Sequence, residues 1–293
     1  MKLAEYGAYV WLPIITALGW FTTLAGLLSL RLFSAADIKE HRPDEASVLF
    51  ISDVGAAHMI WFTPGCTLVA LLYIATLLVE RWLRHRERIP RVISKRHRYW
   101  GYSTAGHGIL SGLSLMMLSF LSKFEHPTVH WRFTFMFAIC LMISAYSQVI
   151  EVFCLKKEYP EQAHLRRNAM IKLWIVSIAT VLAVVFGVLF LSCGGLVRSS
   201  RDNLLLSGAA VCEWAVSFLL TFYFLTFVLD FYPAAKTSSG LEPNKCHSQG
   251  KTDSRSAPKM VTPGVFDLKI DLEKSDRPDP LAIDPPHAQV AGR

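Results

Sequence analysis

Six apolar runs, each long enough to cross a lipid bilayer, constrain this chain more than any other feature: residues 6–30, 56–79, 101–121, 133–155, 173–196 and 204–231. A hydrocarbon core of about 30 Å takes about 20 residues of helix. Backbone in lipid must satisfy its own hydrogen bonds, so each run is expected to be helical, and the alternation of a barrel strand is absent. Only 18% of the 293 residues are charged while 52% are hydrophobic, which excludes a soluble enzyme, a disordered chain and a disulfide-stapled secreted domain. Pro13 and Pro64 read as first-turn residues of their helices, where a missing N–H costs least. Ser34-Ala35-Ala36 would pass as a signal-peptide cleavage site. The first run is nevertheless read as a retained helix, because it far exceeds a signal h-region and Lys2 is offset by Glu5.

Lys and Arg counted loop by loop give the orientation. Arg81, Arg84, Arg86, Arg88, Arg91, Lys95, Arg96 and Arg98 gather between runs two and three, and Lys156, Lys157, Arg166, Arg167 and Lys172 between runs four and five. The other connections hold two or three each, so both termini are expected in the cytoplasm. The expected architecture is all-α: a six-transmembrane-helix bundle over residues 6–232, followed by a disordered cytoplasmic tail over 233–293. That tail is rich in Pro, Ser, Lys and Asp and cannot bury enough apolar surface to offset the entropy of ordering. Within it, Phe266, Leu268, Ile270 and Leu272 alternate with polar residues. The pattern reads as chance, with a strand added to a partner's sheet as the alternative. The cysteines sit in or beside the runs or in the tail, so no disulfide framework is suggested. Cys154 reads as a small apolar filler, with palmitoylation beside Lys156 and Lys157 as the alternative. No Asn-x-Ser/Thr sequon occurs.

Sequence patterns for metal, nucleotide and nucleophile-elbow chemistry are missing, so no catalytic residue, metal or cofactor is assigned. Gly108 and Gly112 have the spacing that lets membrane helices approach closely. Strongly polar residues inside the runs are few: His58, His107, Gln148, Glu151 and Glu213, with Asp230 at an inner edge. A charge at the bilayer centre costs about 2.5–3.5 kcal/mol on insertion scales, so each should face the bundle interior. Ser144, Ser147, Gln148 and Glu151 form one helical stripe in the cytoplasmic half, at a depth comparable to His107, and Glu151 is expected to approach His107. Glu213 lies about 13 Å into the sixth helix from the outer side by the helical rise. His58 is its only evident basic neighbour. A structural hydrogen bond to a neighbouring helix is the bland reading there, with a lipid contact or a proton-coupled step as alternatives. The basic segment, with Arg84, Arg86, Arg88, Arg91, Lys95, Arg96 and Arg98, sets orientation and is also a candidate site for anionic lipids and phosphoinositides. Nucleic acid is not an expected partner. In the first outer loop, Ser52 or Asp53 can cap the second helix.

The segment Ile51-Ser52-Asp53-Val54-Gly55-Ala56 resembles a hallmark of the FRAG/DRAM/SFK membrane family. His126-Pro127 with His130, then Ser144-Ala145 and Glu151, and Cys212-Glu213-Trp214 with Phe224, Phe227 and Asp230, follow the same family pattern. The resemblance covers about residues 6–232 and is greatest to the fungal suppressor-of-four-kinase branch. It implies a six-helix regulator without catalytic activity, at the plasma membrane, which supports recruitment of a phosphatidylinositol 4-kinase complex and helps maintain lipid asymmetry. The alternatives are an autophagy modulator of the DRAM type in the lysosome or vacuole, a Golgi or ER location, and a lipid or solute transporter using the intramembrane carboxylates.

Overall fold

The computed structural model describes residues 8–33, 46–90 and 93–237. Among them every regular element is helical: after a short 3-10 turn at Ala8–Val10 come α1 (Trp11–Phe33), α2 (Ile51–Ala57), α3 (Met59–His85), α4 (Lys95–Phe120), α5 (Pro127–Glu158), α6 (Ala163–Ser192) and α7 (Ser200–Thr237). Each expected run falls largely on one of the six long helices, although the second begins on α2 and the fifth outlasts α6, which ends at Ser192. The tail beyond Thr237, including its alternating segment, lies outside the described residues.

Each long helix packs against its neighbours in sequence, and α1 packs against α7, so the six close into a ring. Aromatic side chains fill the centre. Tyr73 of α3 meets Phe224 of α7 at 5.1 Å between ring centroids, and Tyr223 meets Phe227 edge-on at 5.5 Å. Trp20 Nε1 donates to the Ser217 carbonyl at 2.7 Å and Trp61 Nε1 to the Thr23 carbonyl at 3.2 Å, which ties α7 and α3 to α1. Pro13 falls in the first turn of α1 as expected. Pro64 does not, because α3 begins at Met59 and the proline sits in its second turn. The second run is also interrupted: α2 ends at Ala57, and His58 leaves helical geometry (φ −124°, ψ 50°) before α3 starts.

Five helices, α1, α3, α5, α6 and α7, are long and apolar enough to cross a membrane by length and composition. The third expected run lies on α4, which is 26 residues long but less apolar. Its polarity is directed inward. Thr104, Ser111, Ser114 and Ser119 are buried. Thr104, Ser114 and Ser119 donate back to carbonyls of their own helix. Between Tyr99 and Phe120 its exposed positions are Tyr99, Tyr102, Gly106, Leu110, Leu113, Met117 and Phe120, a stripe of helical spacing without a charge. Apolar outside and hydroxyl-lined inside is the reverse of a soluble amphipathic helix. It is the pattern a helix adopts when its surroundings are lipid and its neighbours are polar.

Gly108 and Gly112 face α3, as their spacing suggested. A Cβ on Gly108 would lie 2.3 Å from Leu77 Cδ1 and 2.9 Å from Ser144 Oγ, whereas one on Gly106 would meet nothing within 4 Å. Gly108→Leu is therefore expected to lower stability by about 1–3 kcal/mol through overpacking, and Gly106→Leu to leave it nearly unchanged. Thermal unfolding of the two variants in detergent compares them directly.

Candidate functional site

Strongly polar side chains concentrate at two levels of the bundle. The first lies at the end where α3 and α5 finish and α6 begins. Glu80, Arg81 and Arg84 occupy the last turns of α3, and the run of apolar residues before them continues the helix to His85. Glu80 is fully buried and pairs with Arg84 four residues on at 2.7 Å, one turn apart on the same helix face. Arg81 reaches α5, where both terminal nitrogens donate to the Glu151 carboxylate at 2.8 and 2.7 Å, the bidentate geometry that makes arginine–carboxylate pairs strong. Arg81 also lies 3.2 Å from Glu80. Lys172 of α6 is buried against the Asp230 carboxylate of α7, and its ammonium sits 4.7 Å from the centre of the Phe227 ring. Gln148 donates to Glu80 at 3.3 Å and accepts from the Tyr223 hydroxyl at 3.1 Å, which extends the network toward the aromatic centre. Three cations and three carboxylates thus neutralise one another, from α3, α5, α6 and α7.

Gly101 makes the longest of these reaches geometrically available. A Cβ there would sit 2.1 Å from an Arg81 terminal nitrogen and 2.9 Å from Glu151 Oε1, so α4 presents a gap through which the arginine crosses to α5.

The second level surrounds the start of α2. An isolated helix start leaves its first N–H groups without partners. Here Asp53, at the third helical position, accepts from the Phe50 N–H at 3.3 Å, and Glu213 of α7 accepts from the Ile51 N–H at 2.8 Å. Trp214 Nε1 donates to the Leu49 carbonyl at 3.1 Å, and Asn203 Oδ1 accepts from the Ser47 N–H at 2.8 Å. The segment before α2 is thereby held along α7. Lys123, between α4 and α5, pairs with Asp53 and lies 5.3 Å from the centre of the Phe50 ring. His130 is buried and donates from Nδ1 to the Leu121 carbonyl at 2.8 Å. Gly55 keeps room for Phe62, whose ring a Cβ would approach to 2.8 Å.

These arrangements correct several sequence expectations. Glu151 does not meet His107; it is held by Arg81, while His107 bonds the Ser103 carbonyl of its own helix at 3.0 Å. Glu213 does not pair with His58, whose Nε2 is buried without a hydrogen-bond partner among the described residues. Asp53 rather than Ser52 acts at the α2 start, and it does so from inside the helix. Ser52 lines a small cleft with Lys123 and His130, and His126 is exposed at the N-cap of α5. The basic segment is not uniform. Arg84 is buried, donates to the Pro90 carbonyl at 2.7 Å as well as to Glu80, and so leaves the lipid-facing set. Arg86, Arg88 and Arg98 are exposed. Arg91 lies outside the described residues, and Lys95 and Arg96 open α4. Cys154 is buried, which leaves the filler reading in place and removes the accessibility that palmitoylation needs.

Sequence reading missed the roles of Arg81, Lys172 and Lys123, counted as loop charges, and did not single out Glu80. The Glu80–Arg84 spacing was a usable signal, but nothing in the sequence pairs Arg81 with Glu151 or Lys172 with Asp230. Among the described residues, no group of three or more His, Cys, Asp and Glu side chains is placed to hold a metal ion.

A family model described as Frag1/DRAM/Sfk1/Cwh43P N-terminal domain matches residues 8–234. Among known proteins, the chain is similar to Protein sfk1 of Schizosaccharomyces pombe, with 30% identity over 226 residues that cover 77% of this chain and 64% of that protein. The chain thus spans just under two thirds of that relative's length. No solved structure matches it.

The capping geometry separates charge from shape at Glu213. Glu213→Gln retains an oxygen for the Ile51 N–H and is expected to preserve abundance and unfolding temperature. Glu213→Leu removes the acceptor and should cost about 1–2 kcal/mol, the scale of a lost helix cap. Unfolding in detergent, followed by tryptophan fluorescence, reads both.

Proposed function

The chain belongs to the Frag1/DRAM/Sfk1/Cwh43 family, and on that premise we propose that it is a non-catalytic membrane regulator of the Sfk1 type. In this reading it resides in the plasma membrane, supports recruitment of a phosphatidylinositol 4-kinase complex and contributes to lipid organisation. All six long helices cross the bilayer, α4 included, and both termini face the cytoplasm.

The observation that carries the reading is the arrangement of Arg86, Arg88 and Arg98. They stand exposed where α3 ends and α4 begins, next to exposed Trp82, Tyr99 and Tyr102. Aromatic side chains favour the headgroup level, and juxtamembrane cations attract anionic lipid by about 1 kcal/mol each. The segment is also held in place. Glu158 at the end of α5 accepts from the Ile93 N–H at 2.7 Å and the Ser94 N–H at 3.3 Å, at the start of α4. A fixed cationic ledge at headgroup level suits a docking platform for a lipid-directed enzyme. The engagement of Glu151 by Arg81 and of Glu213 by a backbone N–H supports a structural use of these carboxylates over a transport use.

Neutralising Arg86, Arg88 and Arg98 together is expected to reduce kinase recruitment severalfold while the protein still inserts, because none of the three belongs to the buried network. Imaging a tagged kinase subunit at the membrane measures this; undiminished recruitment in the triple variant contradicts the reading.

A further inference from the structure

At the same end of the bundle, a small cleft with about 20 Å³ of space for a water-sized group opens between the α3–α4 connection and the start of α6. Arg84, Pro90, His164, Leu165, Asn168 and Asp230 are among its lining residues. It is not part of the ion-pair network, although Arg84 and Asp230 form its border with that network. Among the described residues, three polar atoms of its lining side chains have no hydrogen-bond partner: Asn168 Oδ1, on a side chain only 2% exposed, His164 Nε2, and Arg84 Nε, which lies 3.5 Å from the Glu151 carboxylate. Asn168 and His164 are four apart on α6 and so share a face. The other side of the Asn168 amide is engaged, since its Nδ2 donates to the Leu229 carbonyl at 3.2 Å. A buried polar atom without a partner costs about 1–3 kcal/mol, so a group that supplies the missing bonds is favoured there.

The chemistry of the lining selects that group. Asn168 Oδ1 and the Asp230 carboxylate accept, and His164 Nε2 donates or accepts with its tautomer. A phosphate, which only accepts, would face acceptors in the recess. An ammonium would stand beside Lys172, which already neutralises Asp230, and near Arg84. An uncharged hydroxyl donates to Asn168 and accepts from His164 without adding charge. The cleft has room for one such group. Cations wait outside: exposed Arg88 precedes Ile89 of the lining, and exposed Arg166 and Arg167 follow Leu165.

We infer that this cleft receives the headgroup of a polyol phospholipid such as phosphatidylinositol, with a ring hydroxyl on Asn168 and His164 and the phosphate at the arginine rim. The inference rests on the reading above that this end of the bundle lies at headgroup level. It concerns lipid selectivity and does not depend on whether a kinase is recruited.

The test uses the full chain purified in detergent and the displacement of a fluorescent phosphatidylinositol. Unlabelled phosphatidylinositol is expected to displace the probe at about fivefold lower concentration than phosphatidylserine or phosphatidylethanolamine, the factor one net hydrogen bond supplies. His164→Leu, at a half-exposed position, and Asn168→Leu should each erase that preference while leaving weak, charge-driven binding. Should Asn168→Leu fail to fold, His164→Leu decides alone. Soluble glycerophosphoinositol as effective as the lipid would support the polyol phosphate chemistry and assign a soluble ligand. Equal displacement by phosphatidylserine, or a preference unchanged in His164→Leu, would overturn the site and leave the recess to a structural water. Because the assay contains no kinase, loss of recruitment in the Arg86, Arg88 and Arg98 variant and loss of headgroup preference are separate results.

Discussion

The end of the bundle where α3 and α5 finish depends on the cost of burying charge. Five buried side chains of charged type, Glu80, Arg84, Glu151, Lys172 and Asp230, gather there with Arg81, which is 21% exposed, and a buried charge left alone costs several kcal/mol. They are tolerated because they come in equal numbers of each sign and at bonding distance. The requirement is geometric as much as electrostatic: Arg81 satisfies Glu151 only if α3 and α5 hold one separation, and Lys172 satisfies Asp230 only if α6 and α7 do. In lipid, apolar packing gives little directional preference between helices, so such pairs set register where Leu and Val cannot.

The junction around α2 solves a different problem with the same logic. A seven-residue helix, α2, begins against α7, and its first N–H groups need acceptors in a place that water does not supply. Asp53 and Glu213 provide them, and Trp214 takes the carbonyl of Leu49 in return. The Ile51–Ala56 segment and the Cys212–Trp214 segment, more than 150 residues apart, are therefore two sides of one junction. The two segments that carry the family resemblance thus meet at one joint.

The places of the six long helices were legible in the sequence because the apolar runs carry them directly, whereas the short α2 and the break at His58 were not. The polar residues that must face inward were legible too, since lipid leaves them no other direction. Partners were not. His107 was expected level with Glu151, but in the antiparallel α4–α5 pair Gly101 stands opposite Glu151, Ser103 meets Ser147 at 2.9 Å, and His107, about 9 Å beyond Gly101 by the helical rise, lies near the level of Ser144. Arg84 read as one of a run of loop cations, because a charge at the end of an apolar stretch looks the same whether it turns toward solvent or toward a carboxylate. Only the three-dimensional neighbourhood divides the basic segment into a buried pair that builds the bundle and an exposed set free to meet lipid.

The direct measurement is a charge exchange at the Lys172–Asp230 pair, followed by size-exclusion profiles and unfolding temperature in detergent. Lys172→Asp or Asp230→Lys alone leaves like charges buried together, and each is expected to cost at least the 3–5 kcal/mol of a broken buried pair and to abolish the monodisperse peak. The double exchange, which restores opposite charge in the same place, should recover much of the wild-type profile. Single variants as stable as the wild type, or a double variant no better than the singles, would contradict the claim that mutual neutralisation holds these helices in register.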